Sequence, residues 1–169
     1  MKKLLLAALF CATLVLLAPH FLASQEVKTP PDTSALVAGE LIYVPIYSQI
    51  HYEDSKNTLE LAATLSIHNI NPEQTITVTR ADYFNTDGKL IHRYVNEPLV
   101  LGPLETKHVV IDKANTAGGL GANFLVEWQG AAEVNSPLVE ALMVNASHNL
   151  GIAFTSTGKV VKNLSAIPD

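Results

Sequence analysis

His51, Glu53 and Asp54 fall within four consecutive positions, and a short run of imidazole and carboxylate donors can ligate zinc or another divalent ion. A metal site draws three or four ligands from rigid elements, ordinarily with a paired spacing such as two histidines one helical turn apart. This run has no such frame, and a solvated turn is the preferred reading because His, Glu and Asp are mostly surface residues. The loop from Asp112 to Gly121 offers different chemistry. Gly118, Gly119 and Gly121 put three glycines into four positions, and backbone amides freed of side chains can close around an anion or a sugar, with Asp112, Asn115 and Asn123 as polar partners. Phosphate-cradling glycine loops lead from a strand into a helix. This one leads into another strand, so glycines serving a tight connection are preferred over a ligand site.

Nucleophilic catalysis finds no frame. There is no Gly-x-Ser-x-Gly elbow, and Ser48, Ser66, Ser147 and Ser156 have no obvious base beside them. Paired carboxylates for glycoside hydrolysis can only come from residues distant in sequence, such as Asp82 with Glu127. With no catalytic motif and no cofactor signature, a binding or accessory module is favoured, for a partner protein or a small polar ligand. The alternative is a hydrolase or metal-dependent enzyme using His51, Glu53 and Asp54 or the Asp112 loop.

The chain that must hold these residues has 169 of them, 48% hydrophobic and 16% charged, with a formal net charge of −5. That length suits one domain with one core, and the composition excludes a disordered chain. The acidic balance leaves no electrostatic footprint for nucleic acid. Met1, Lys2 and Lys3 precede an apolar run from Leu4 to Ala18, followed by Pro19, His20, Ala23 and Ser24. This is the layout of a secretory signal peptide over residues 1–24, and the run is short for a bilayer span. A membrane attachment follows only if the segment stays uncleaved. Cleavage removes Cys11, the one cysteine, and with Lys2 and Lys3 gone the formal charge moves from −5 to −7. A mature chain free of cysteine suits a bacterial periplasm.

Residues 25–39, with Pro30 and Pro31, read as a flexible lead, and residues 40–169 as the domain. Leu41 to Tyr47 predicts a strand, placed at a sheet edge by Pro45, which cannot donate to a ladder. An edge there would present Tyr43 and Tyr47 as a partner surface. Thr58 to Ile67 alternates cleanly, and the apolar phase of the strand after Thr75 shifts at Thr79 or Arg80, predicting a bulge. Asp87 and Gly88 predict a type I′ hairpin turn. Further strands are expected at Leu99–Leu101, Val109–Ile111, Asn123–Gln129 and Ile152–Ser156, and Leu138–Ala146 is read as strand in preference to helix. Trp128 is expected in the core. About eight strands with turn signals between them imply an all-β fold: a single antiparallel β-sandwich, immunoglobulin-like, or a partly open barrel.

The segments YVPIYSQI from Tyr43, LAATLSIHN from Leu61, YFNTDGKL from Tyr83, GGLGANFLVEW from Gly118 and GIAFTSTGK from Gly151 together resemble a family of bacterial exported proteins catalogued as domain of unknown function 3124. The resemblance spans nearly all of the mature chain. It implies an exported setting and carries no catalytic residues. His68 and Leu120 depart from the family pattern.

Overall fold

The computed structural model of the chain describes residues 37–146 and 151–164. The expected signal peptide and the lead as far as residue 36 lie outside the described residues. Twelve strands follow in order: β1 (Val37–Pro45), β2 (Gln49–Tyr52), β3 (Asp54–Glu60), β4 (Ala62–His68), β5 (Ile76–Phe84), β6 (Leu90–Arg93), β7 (Leu99–Leu101), β8 (Thr106–Ile111), β9 (Asn123–Val134), β10 (Leu138–Asn145), β11 (Ile152–Thr157) and β12 (Lys159–Asn163). One 3-10 turn, Gly119–Gly121, lies before β9, and the described residues contain no α-helix.

All pairings are antiparallel. The larger sheet runs β12-β1-β9-β5-β6, with β7 also on β5, and the smaller runs β11-β10-β4-β8. Their inner faces share one core, and neither sheet closes into a barrel. The alternation expected for a sheet with one dry face is obeyed closely in β4, where Ala63, Leu65 and Ile67 are buried and their neighbours are not. Trp128 is fully buried in a core to which the larger sheet gives Ile42, Val78, Phe124 and Val126 and the smaller gives Leu65, Ala141 and Met143.

Two features differ from expectation. Pro45 does not mark an edge, because β1 lies between β12 and β9. The Ile46 amide bonds the Ala122 carbonyl on the β9 side, so residues of Pro45's parity direct their nitrogens toward β12. That ladder has already ended at Tyr43–Lys159, and a missing donor at residue 45 costs no bond. The continuous alternation from Thr58 to Ile67 is cut at Leu61. Before it, β3 pairs with β2 alone, and after it β4 joins the smaller sheet. Leu61 is buried at the corner, its amide bonded to the Ser48 carbonyl.

Buried polar side chains staple the loops at one end of the sandwich. The Asn69 side-chain amide donates to the carbonyls of Gln74, Leu101 and Gly102, and its oxygen accepts from both the backbone and side-chain amides of Asn71. Asn71 and Asn135 then exchange two bonds. Glu40, opposite Trp128 in the ladder, accepts from the Trp128 indole at 3.1 Å and from the Ser136 hydroxyl. Such groups can be buried because their partners replace water.

Candidate functional site

The bulge expected near Thr79 is present: the register of β5 on β9 shifts between Val78 and Arg80. Its consequence is a reversal of parity. Val78 faces the core before it and Ala81 and Tyr83 face the core after it, so Asp82 emerges on the outer face. The free edge of β5 is shared by two short strands, β7 against Ile76–Val78 and β6 against Asp82–Phe84. The bulge lies between them, where no strand covers it.

A cleft of about 500 Å³ occupies this place on the outer face of the larger sheet, lined by Thr79, Arg80, Asp82 and Glu127 with Arg93 at the end of β6 and Val95 and Asn96 just after it. The Arg80 Nε donates to the Asp82 carboxylate at 2.7 Å, and the Arg93 Nε lies 3.8 Å from its other oxygen. Only 4% of the Asp82 side chain meets solvent, against 36% of Arg80 and 65% of Arg93. A carboxylate so enclosed persists because two guanidiniums replace its hydration. Glu127 stands opposite Arg80 in the ladder and accepts from the Thr79 hydroxyl at 2.9 Å. Asp82 and Glu127, named from sequence as a conceivable carboxylate pair, are thus diagonal neighbours, which in an antiparallel sheet stand about 7–8 Å apart.

The other sequence-named residues are distributed over four places. Tyr43 is exposed on the same outer face as the cleft, in a cross-strand row with Leu125, Asp82 and Arg93. Tyr47 does not join it. Its ring packs on Phe154 of the smaller sheet, 6.1 Å between centroids, so the two tyrosines form no common surface.

The glycine loop is tied down by its neighbours. The Gly119 amide donates to the Ser48 hydroxyl at 2.8 Å and the Gly121 amide to the Thr86 hydroxyl at 2.9 Å, while the Gly118 carbonyl accepts from Thr86. Gly119 has φ +76, which glycine alone adopts without strain, and a Cβ on Gly118 would stand 1.9 Å from the Tyr83 hydroxyl. Asn115 turns back on the loop to accept from the Ala117 amide, Asn123 lies in the ladder between Pro45 and Phe84, and Asp112 is exposed at the end of β8. Burial raises the pKa of Tyr83 above the ordinary tyrosine value, with the Ser48 hydroxyl lowering it less and Tyr94 raising it further. Tyr94 is raised too, by burial first and then by Asp112.

His51, Glu53 and Asp54 sit at the β2–β3 turn. One Asp54 oxygen accepts from the backbone amides of Lys56 and Asn57 and from the Asn57 side chain, and Glu53 adopts φ 61. His51 Nδ1 reaches the Asn57 carbonyl at 3.4 Å. Among the described residues, no three His, Cys, Asp or Glu side chains are grouped to hold a metal ion.

Sequence reasoning passed over Arg80, Arg93, Asn96 and Thr79. The one local signal was the phase shift at Thr79, since a bulge ahead of Arg80 and Asp82 turns both from the core face to the outer face.

The match to known families covers this whole assembly. Residues 39–161 match the family described as protein of unknown function (DUF3124). The chain belongs to that family. Among curated proteins no match was found. Among solved structures, the crystal structure of Thermotoga maritima 1070 is similar at 13% identity and a TM-score of 0.44, over 77% of this chain and 99% of that one.

Proposed function

We propose that this DUF3124 protein is an exported, periplasmic binding or accessory module, and that the cleft at the β5 bulge is its ligand seat. The observation that carries the reading is the Asp82 carboxylate held between Arg80 and Arg93 at the floor of a polar cleft. A buried charge that contributes little or nothing to stability in comparison with an apolar packing is better explained by what it positions. The order of charged, apolar and small residues over 1–24 supports export.

The alternative, hydrolysis by Asp82 and Glu127, draws on their shared cleft. It is weakened by the use of both: Asp82 is engaged by two arginines and Glu127 by Thr79. A general acid or base must be free to exchange a proton with substrate.

The test is fractionation of cells producing the tagged chain, followed by crosslinking in the periplasm. The proposal expects the chain in the periplasmic fraction, shortened at its N-terminus, with a retained small molecule or a discrete crosslinked partner. Retention in the cytoplasm refutes the export half. Recovery from the periplasm with neither ligand nor partner refutes the binding half.

A further inference from the structure

We infer that the cleft takes a small organic anion, with its carboxylate or phosphate head on the two arginines and an apolar or aromatic body lying across Leu125 toward Tyr43. The inference rests on the cleft being the ligand seat and adds the class of ligand.

The formal charges lining the cleft are balanced, two arginines against Asp82 and Glu127, but their depths are not. Asp82 is sealed at the floor, with 4% of its side chain exposed, whereas Arg93 is 65% exposed. An arriving ligand therefore meets the Arg93 guanidinium before the Asp82 carboxylate. Both arginines approach Asp82 through Nε. A guanidinium has a second edge formed by its two Nη groups, and that edge suits the paired oxygens of a carboxylate or phosphate. Asp82 thus acts as the positioning residue that orients two such forks. One Glu127 oxygen accepts from the Thr79 hydroxyl, which ties that carboxylate to the wall beside Arg80, and Asn96 supplies a further amide there.

The body of the ligand is indicated by the row of residues leading out of the cleft. Register places Arg93 beside Asp82, Asp82 beside Leu125, and Leu125 beside Tyr43. Strands are about 4.8 Å apart, so Tyr43 stands roughly 10 Å from Asp82, the length of a small phenyl-bearing acid. Leu41 lies on the same face one step along β1, opposite Glu127. Beyond Tyr43 the row ends on the exposed Lys159 of β12, so between the arginines and that lysine Leu125 and the Tyr43 ring make an apolar stretch, which a bare inorganic anion would leave unused.

The experiment is a titration of the 15N-labelled chain, as recovered from cells, with three probes: phenyl phosphate, 3-phenylpropionate and the neutral 3-phenylpropanol. Supporting results are saturable shifts at the amides of Arg80, Asp82, Arg93, Asn96 and Tyr43 with one or both anions and none with the alcohol. Whichever anion binds tighter identifies the head group. Arg93→Gln should weaken that anion about tenfold or more, Arg93→Lys less, because it keeps charge but loses the fork, and Tyr43→Thr should weaken both anions. Equal shifts at the same amides with the alcohol, unaffected by Arg93→Gln, overturn the anion inference while leaving the cleft reading intact. Anion-induced shifts confined to other parts of the protein, or none, overturn both. Circular dichroism of each variant confirms the fold.

Discussion

Asn69→Ala should destabilise the protein by about 2–4 kcal/mol, out of proportion to the two heavy atoms' worth of polar surface it removes. Asn69 takes part in five hydrogen bonds that tie the β4–β5 turn to the segment after β7 and, through Asn71, to Asn135. Alanine leaves the buried Asn71 backbone amide without an acceptor, at about 1–3 kcal/mol, and takes a bond from the Leu101 carbonyl, at about 0.5–1.5 kcal/mol. The carbonyls of Gln74 and Gly102 are less deeply placed and can turn to water, so they add little. At about 3–4 °C per kcal/mol for a domain of this size, the midpoint should fall by roughly 6–15 °C. Thermal unfolding followed by circular dichroism reads this, with urea midpoints as a second measure. Asn71→Ala breaks one of the same bonds, that from the Asn71 side-chain amide to the Asn69 oxygen, so the double variant should fall short of the sum of the singles by about 0.5–1.5 kcal/mol. A loss below about 1 kcal/mol in Asn69→Ala, or strict additivity with Asn71→Ala, would refute the view that this amide network holds the loops together.

Gly118→Ala should destabilise by more than about 3 kcal/mol, since its Cβ would lie 1.9 Å from the Tyr83 hydroxyl and 2.8 Å from Ala122 Cβ. Adding Tyr83→Phe should recover part of the loss in urea titration, and no recovery would mean that the tyrosine is not the obstacle. Both raised tyrosines hold their protons longer folded than unfolded. The stability they confer is therefore present below the ordinary tyrosine pKa near about 10 and is lost as pH rises through the folded values. Urea midpoints between pH 8 and 11 should fall more gently in Tyr83→Phe than in the parent. Asp54→Ala should cost about 1 kcal/mol by uncapping the β2–β3 turn, and chelator should leave the parent's melting temperature unchanged. A zinc-induced rise that His51→Ala abolishes would instead make this turn a metal site.

The layered fold was readable wherever burial alternates along a strand. β4 shows it without exception, and the bulge at Thr79 announced itself because the apolar phase slips there. The break at Leu61 was hidden because the alternation runs straight through the corner with no glycine or proline to mark it. Pro45 misled because a missing amide is tolerated at the end of an interior strand as well as along an edge. The Asp87–Gly88 turn was placed correctly but not its type. Only Gly88 has positive φ there, and the Gly88 amide closes on the Asn85 carbonyl, whereas a type I′ turn needs two such residues.

The cleft was the least legible part, for a physical reason. Arg80 and Asp82 are near in sequence, but Glu127 and Arg93 reach them only through the ladders of β9 and β6. No local pattern encodes that registration. Conversely, the residues that looked chemical in sequence are largely spent on structure: Asp54 on a turn, and the Gly119 and Gly121 amides on Ser48 and Thr86. Conspicuous spacing marked where the backbone is constrained, while the more open polar groups were brought together by the sheet.

The central claim is that the cleft at the β5 bulge binds a ligand in an exported protein. A native mass spectrum of the chain recovered from the periplasm, run beside Arg93→Gln, tests it most directly. The account predicts a mass shortened by the leader, with a bound small molecule or partner on the parent that is lost or much reduced in the variant. A full-length mass, or the same bound species at the same occupancy on both proteins, would contradict it.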